Sequence, residues 1–204
     1  MCVLGLISGQ INGVAVFILD RRSDQGARLR DGLPSDRARH RFEFEYRPSV
    51  PRRLLDFFDG IFREDADKAE RVTFIQEFLG ACFLGIAPKF QKVLVLYGDG
   101  NNGKSKFAEI IERCFPDGSV CGITPHRWRD DYHVAGLAGK RLNLCGELPA
   151  RELTDSEIVK LVVTAEHRVR ARSPYKEPFE FFAIAGHVFL ANKLPATSDQ
   201  TDGF

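Results

Sequence analysis

One eight-residue segment carries the clearest chemical signal in the sequence. Gly98 and Gly103 enclose four residues and are followed by Lys104 and Ser105, so the pattern GxxxxGK[ST] is matched in full. Glycines at these positions let the backbone curl until successive N–H groups point at phosphate oxygens. The lysine of this pattern reaches the β- and γ-phosphates of a nucleoside triphosphate, and the hydroxyl that follows binds Mg²⁺. The predicted phosphate-binding residues are Gly98, Asp99, Gly100, Asn101, Asn102, Gly103, Lys104 and Ser105.

Two elements must position this segment. The run Val93–Tyr97 is apolar at every position, which is typical of a strand buried on both faces of a parallel sheet. After the loop, apolar residues recur at helical spacing, namely Phe107, Ile110, Ile111 and Cys114. The phosphate-binding pattern requires a preceding strand and a following helix, and the sequence predicts both. We therefore expect a P-loop that binds a nucleoside triphosphate.

Two polar residues follow further apolar runs. Glu147 comes after the run 142–145, and Asn192 comes after the run 187–191. The carboxyl ends of parallel strands are where doubly wound sheets place their ligands. A carboxylate there would organise Mg²⁺ and activate water, and an amide would hydrogen-bond that water and the γ-phosphate. The alternatives are a surface glutamate at a strand end and an asparagine that caps a turn.

The chain divides by composition into three parts. Residues 1–50 are predicted to be an N-terminal arm or linker with one or two short strands near its start, and 51–92 a helical lead-in. The lead-in holds an amphipathic helix over 72–86, which Pro88 prevents from continuing. Residues 93–204 form the P-loop core, with strands at 93–97, 120–123, 141–145, 179–184 and 187–191 and a further helix at 153–163. This alternation predicts a three-layer α/β fold around a central, mainly parallel sheet.

A basic segment lies between the two polar candidates. Arg170 and Arg172 alternate with small or apolar residues, which suits a strand with its arginines on one face. Pro174 marks a turn, Lys176 follows it, and 179–184 can return as the second strand of a hairpin. The pattern favours a nucleic-acid contact or, equally, a charged edge strand that arginine protects from aggregation.

Composition limits the remaining possibilities. The chain has 29 basic and 28 acidic residues and a net charge of +1, so any contact with a polyanion must come from a local patch. The five cysteines form no CxxC pair, which indicates a reducing, cytoplasmic compartment without a disulfide framework or a zinc site. No stretch approaches the ~20 apolar residues that span a bilayer, so no membrane partner is expected. The single tryptophan, Trp128, is expected in core or interface packing rather than on a nucleobase.

Three segments together resemble a known family. They are GDGNNGKS at 98–105, GKRLNLCGEL at 139–148 and FLANKLP at 189–195. Their combination resembles the superfamily 3 helicase domain of phage and plasmid primase-helicases, which are relatives of the poxvirus-type replication ATPases. The resemblance runs from about Leu54 to Phe204. It implies an AAA+-like fold, ATP hydrolysis with Mg²⁺, rings that are usually hexamers, and translocation on single-stranded DNA that unwinds duplex DNA.

The resemblance also assigns roles to individual residues. Residues 98–105 match the family's Walker A segment, Glu147 its Walker B acid and Asn192 its sensor 1 position. A hairpin ahead of sensor 1 contacts DNA in the family's central pore, which makes Arg170, Arg172 and Lys176 the expected DNA contacts. A primase domain or protein is an expected partner.

The sequence departs from the family at several places. Many members have paired acids in Walker B, whereas Gly146 precedes a single Glu147 here, and Ala165 stands where many members have glycine. The family carries an arginine finger shortly after its DGF segment, and this sequence ends at Phe204, so we expect the core to be incomplete at that end.

The predicted function is an ATP-dependent DNA helicase or translocase of the phage or plasmid replication type. One alternative is a P-loop kinase or another nucleotide-dependent transferase, which is less favoured because Asn192 follows a strand and no arginine-rich lid is evident. The other alternative is a truncated relic that binds nucleotide without turnover.

Overall fold

The computed structural model describes His40 and residues 50–62, 66–98, 103–149 and 156–193. The chain separates into two compact units, residues 1–80 and residues 81–204. The predicted N-terminal arm lies outside the described residues except at His40 and Val50.

In the first unit, helix α1 (Arg52–Ile61) precedes the start of helix α2 (Lys68–Leu84). The ammonium group of Lys68 pairs with the carboxylate of Asp59, which joins the two helices at their facing ends. Both partners are substantially exposed, so this ion pair contributes little to stability. The apolar side chains Phe58, Ile75 and Phe78 are buried.

The end of α2 differs from the prediction. The helix stops at Leu84, before Pro88, because Gly85 adopts a left-handed conformation with φ of +65°. The N–H groups of Gly85 and Ile86 donate to the carbonyls of Cys82 and Ala81, both at 3.0 Å. These bonds form a Schellman motif, so the glycine rather than the proline ends the helix.

Four parallel strands form the central sheet of the second unit. They are β1 (Leu94–Tyr97), β2 (Val120–Cys121), β3 (Leu142–Cys145) and β6 (Gly186–Ala191), in the spatial order β1-β6-β3-β2. Parallel strands need long crossovers, and these contain helices α3 (Lys104–Arg113), α4 (Asp131–Val134) and α5 (Ser156–Thr164). The described residues thus form a mixed α/β fold with five α-helices. None of the helices in the described ranges is long and apolar enough to cross a membrane.

The observed strands correspond to those predicted after residue 92, but their burial differs. The predicted run Val93–Tyr97 supplies β1, which pairs only with β6 among the described strands. Its last residue, Tyr97, is 61% exposed, so the prediction of a strand buried on both faces is wrong for β1. That description applies to β6 instead, which lies between β1 and β3 and in which every residue is buried.

A large apolar cluster surrounds Trp128. The indole is only 1% exposed and packs against the rings of His187 and Phe189 on β6, which confirms the expectation of core packing. The cluster also contains Val134, Leu137, Cys145, Leu148, Val162, Val169, Ala171, Ala183 and Ala191. On β6, Gly186 lies so close to Cys82 that a Cβ atom would come within 2.2 Å of its sulfur.

The predicted hairpin is confirmed. Strand β4 (Val169–Ala171) pairs antiparallel with β5 (Phe179–Phe181). Val169 and Ala171 are buried while Arg170 is exposed, as the alternating pattern predicted. The register places Glu180 directly opposite Arg170.

Candidate functional site

The glycine-rich loop starts where β1 ends. The N–H of Gly98 donates to the carbonyl of Ala191 at 3.2 Å, which continues the pairing of β1 with β6. Gly98 has φ of +154° and Gly103 has φ of +84°. Residues with a Cβ atom rarely adopt these conformations, so both ends of the loop depend on glycine. The predicted phosphate-binding residues Asp99, Gly100, Asn101 and Asn102 lie outside the described residues.

Helix α3 begins directly after the loop. Gly103 occupies the position before its first residue and has no side chain that could cap the helix. The first turn contains no acidic residue, and Ser105 in that turn is exposed. The partial positive charge of a helix N-terminus favours anions, so this arrangement is suited to a phosphate group.

Lys104 connects the two ends of the loop. It is the first residue of α3, and its Nζ donates to the carbonyl oxygen of Gly98 at 2.5 Å. This hydrogen bond is charge-assisted, because its donor is an ammonium group. It holds the ammonium group beside the start of the loop, where the motif places the charge that meets phosphate.

Glu147 lies at the carboxyl end of β3. Its side chain is exposed, while the N–H of the next residue, Leu148, donates to the carbonyl of Leu190 on β6 at 2.7 Å. The thiol of Cys145 donates to the carbonyl of Glu147 at 3.2 Å, and burial raises the pKa of that thiol and keeps it protonated. These two contacts fix the backbone around Glu147 and leave its carboxylate in solvent.

Asn192 lies between the loop and Glu147. It is exposed and directly follows β6, the strand that lies between β1 and β3. Tyr97 is paired with Ala191, so Gly98 and Asn192 extend neighbouring strands by one residue each. Adjacent strands lie about 4.8 Å apart. The structure therefore brings Gly98 at the start of the loop, Asn192 and Glu147 to one edge of the sheet, at the carboxyl ends of β1, β6 and β3.

A buried polar pair lies inside the sheet, near the amino ends of β3 and β6. Asn143 on β3 accepts from the N–H of Ile123 at 2.7 Å and donates to its carbonyl at 2.8 Å, which fixes the orientation of the amide. Its Nδ2 lies 3.3 Å from Nδ1 of His187 on β6. Since the amide nitrogen is a donor, Nδ1 accepts and the imidazole proton resides on Nε2. Burial is the larger effect on the pKa of His187 and lowers it to about 4. A hydrogen bond with the backbone of Val162 acts in the opposite direction and raises this pKa.

Neither Asn143 nor His187 was assigned a role from the sequence. The available signal is a polar residue inside an otherwise apolar strand, because a buried amide needs partners. The partner, however, is a cross-strand neighbour, and its identity depends on a strand register that local patterns do not contain.

The basic candidates form a separate group on the hairpin. Arg170 and Arg172 share an exposed face, and Lys176 lies in the turn beyond β4. The guanidinium of Arg170 lies 3.9 Å from the carboxylate of Asp131, and the N–H of Arg172 donates to the carbonyl of Asp131 at 3.0 Å. With Glu180 opposite Arg170, the face carries both signs of charge, which the sequence pattern did not indicate.

The protein thus has a mixed α/β fold with a parallel sheet. At the carboxyl side of this sheet, neighbouring strands are followed by the start of a glycine-rich loop, an amide and a carboxylate. The chain belongs to the family of unknown function DUF5906, which matches residues 96–202 and so includes every candidate site residue. No curated protein matches the chain.

Solved structures of the C-terminal region of NrS-1 share the fold. One apo structure of this region, residues 305–718, has a TM-score of 0.55 at 13% identity and covers 76% of this chain and 37% of that one. The A form of the apo structure has a TM-score of 0.53, again at 13% identity, and covers 76% of this chain and 38% of that one. This chain therefore spans little more than a third of the length of these structures.

Proposed function

We propose that this chain is the motor core of an ATP-dependent DNA helicase or translocase, with an AAA+-like, three-layer P-loop fold. The observation that carries the proposal is that three described features meet at the carboxyl side of the sheet: the two ends of the loop at Gly98 and Gly103–Ser105, Asn192 and Glu147. This set contains the parts that in-line hydrolysis of a γ-phosphate requires.

The loop fits a triphosphate for three reasons. Gly98 and Gly103 have the positive φ values that a backbone curled around an anion needs, α3 begins without an acidic residue, and the ammonium of Lys104 is held at the loop. Lys104 would pair with the β- and γ-phosphates of ATP. Mg²⁺ would rest on the hydroxyl of Ser105, the carboxylate of Glu147 and phosphate oxygens, and it would neutralise charge that develops on the phosphates.

Glu147 and Asn192 have different roles toward the attacking water: one accepts its proton and the other positions it. The carboxylate of Glu147 takes the proton of the water, and its exposure leaves it accessible to that water. Asn192 directly follows β6, which lies between β1 and β3, and its amide holds the water and the γ-phosphate by hydrogen bonds. A single acid at the end of β3 then serves both the metal and the base functions.

The hairpin supplies the DNA contact in this proposal. Arg170, Arg172 and Lys176 are exposed, and contacts of such side chains with phosphates are sensitive to salt. The backbone bond between Arg172 and Asp131 anchors the hairpin to α4, so its position is linked to the core. Assembly into a hexameric ring and cooperation with a primase are part of the same proposal.

The experiment is an ATPase assay with and without single-stranded DNA, at high protein concentration so that any assembled form is populated. We expect DNA to stimulate turnover in the wild type. Glu147→Gln should lower turnover by about 10²–10⁴-fold, which is the usual contribution of a general base, and should retain ATP binding. Glu112→Gln is the matched control, because Glu112 is an exposed glutamate on α3 away from the sheet edge and should leave turnover unchanged.

Each other outcome selects an alternative. DNA-stimulated turnover that survives Glu147→Gln would show that another residue is the base. Phosphate transfer to a small acceptor would indicate a kinase or transferase, and ATP binding without turnover in the wild type would indicate a nucleotide-binding relic. Lys104→Ala should abolish nucleotide binding in all three cases and therefore serves only to locate the nucleotide.

A further inference from the structure

The hairpin turn has an unusual residue at its most constrained position. The N–H of Lys176 donates to the carbonyl of Ser173 at 3.2 Å, which closes a four-residue turn with Pro174 second and Tyr175 third. Tyr175 has φ of +60°. Proline requires a negative φ at the second position, so a positive φ at the third makes this a type II turn. Glycine or asparagine normally occupies that position, because a side chain with a bulky Cβ substituent is strained there.

The ring of Tyr175 also gains nothing from packing. Its relative exposure is 106%, and in the described part of the chain no hydrogen bond or ring contact engages it. The other aromatic residues near the hairpin differ in this respect. Phe182 is 45% exposed but lies under the guanidinium of Arg168, 4.9 Å from the ring centroid, and Trp128 is buried.

Strain and exposure at one residue point to a role outside the fold. Tyr175 is fully exposed, and two exposed cations are close to it in the sequence of the same hairpin, Arg172 and Lys176. An aromatic face flanked by cations is complementary to a nucleobase with its adjacent phosphates. In duplex DNA the base faces are covered by stacking, so the complementary ligand is a strand with unpaired bases.

We propose that Tyr175 is a base-stacking residue for single-stranded DNA. This inference rests on the proposed function, in which the hairpin meets DNA through the phosphate contacts of Arg170, Arg172 and Lys176, and it adds a contact to the bases themselves. Stacking tolerates any sequence because every base has an aromatic face. The tip of the hairpin would therefore hold a strand by one base at a time, whatever its sequence.

The test compares four forms of the full chain, namely wild type, Tyr175→Gly, Tyr175→Asn and Tyr175→Phe. Binding of a fluorescent oligothymidylate is measured by anisotropy, and the melting temperature of each form is measured separately. Glycine and asparagine both tolerate positive φ, so these two variants should melt at or above the wild-type temperature. They should nevertheless bind roughly 5- to 150-fold more weakly, the range expected for loss of one stacked base. Phenylalanine keeps the ring and should bind like the wild type.

A second oligonucleotide separates stacking from charge. An abasic strand of equal length keeps the phosphates and lacks the bases. The wild type should bind it as weakly as Tyr175→Gly binds oligothymidylate, whereas Tyr175→Gly should bind both strands alike.

The outcomes distinguish this inference from the proposed function. If Tyr175→Gly and Tyr175→Asn bind oligothymidylate like the wild type, stacking is refuted, while a salt-dependent loss in Arg172→Ala would still support the phosphate contacts. Equal binding of both strands by the wild type refutes stacking in the same way. If the wild type binds neither strand, both the inference and the DNA-binding role of the hairpin are wrong.

Discussion

The buried histidine inside the central sheet should make the stability of this protein fall steeply in mild acid. His187 is 1% exposed, and its surroundings include the side chains of Asn143, Trp128 and Phe189, none of which is an ionisable partner. Burial in this setting penalises the imidazolium and lowers the pKa of His187 to about 4. In the unfolded chain the same residue has the ordinary value of about 6.5.

The sign and the size follow from these two values. Between pH 6.5 and pH 4 the unfolded state binds a proton that the folded state rejects, so stability rises with pH in this window and is lost as the pH falls. Each pKa unit corresponds to about 1.4 kcal/mol, so the full loss approaches ~3 kcal/mol near pH 4. At pH 5 the loss is already about 2 kcal/mol, a large part of the 5–15 kcal/mol that is typical of folded domains.

The measurement is guanidinium unfolding from pH 7 to pH 5, followed by tryptophan fluorescence. Trp128 is the single tryptophan, and its ring centroid lies 4.8 Å from that of His187, so it reports on this part of the core. The comparison is His187→Gln, which cannot titrate and keeps an acceptor for Asn143. We expect this variant to be less stable at pH 7, because it loses ring packing against Trp128, but to have a nearly flat profile down to pH 5.

Carboxylates do not interfere with the comparison. Asp67, Glu109 and Asp130 each have a pKa lowered by a hydrogen bond from a neighbouring basic side chain. These carboxylates stabilise the fold above the pKa that each has in the unfolded chain, and this stabilisation is lost only as the pH falls through the lowered pKa of the folded state. The effect is the same in the wild type and in His187→Gln. Parallel pH profiles for wild type and His187→Gln, or a pKa of His187 above 6 by NMR titration, would refute the reasoning.

Two further changes test the backbone. Gly186→Ala would place a Cβ atom 2.2 Å from the sulfur of Cys82 and 3.0 Å from Cβ of Ala87. The free energy of unfolding, measured by urea titration, should therefore fall by about 1–3 kcal/mol. An unchanged urea midpoint would mean that β6 can shift to accommodate the methyl group. Ala165→Gly should raise the free energy of unfolding by about 1 kcal/mol, because Ala165 ends α5 with φ of +49° and its N–H bonded to the carbonyl of Leu161, a position that favours glycine. A loss of stability in that variant would contradict the assigned cap.

The sequence predicts well those features that depend on short local patterns of residues. The alternating and apolar runs after residue 92 indicate the strands. The hairpin follows from the alternation of Arg170 and Arg172 with small or apolar residues, followed by the turn at Pro174. The placement of Glu147 and Asn192 at strand ends follows because parallel strands share a carboxyl edge. Their catalytic roles remain predictions.

The features that the sequence does not predict depend on which distant segments pair. Val93–Tyr97 is the more uniformly apolar of the two runs, because β6 contains His187, yet the order β1-β6-β3-β2 places β6 between two strands and β1 beside only one described strand. In the same way, Glu180 opposite Arg170 is a consequence of hairpin register. The sequence does not indicate the positive φ of Tyr175, because glycine or asparagine normally marks such a position and tyrosine occupies it here.

The central place of β6 also has a consequence for how the protein is made. This strand is the last of the described strands to leave the ribosome, and it pairs with β1 on one side and β3 on the other. Until it is synthesised, β1 cannot join β3 and its other partner β2 in one sheet. Such non-local pairing slows folding and exposes nascent chains to aggregation. We therefore expect the rate at which this sheet forms to depend on the insertion of β6 between β1 and β3.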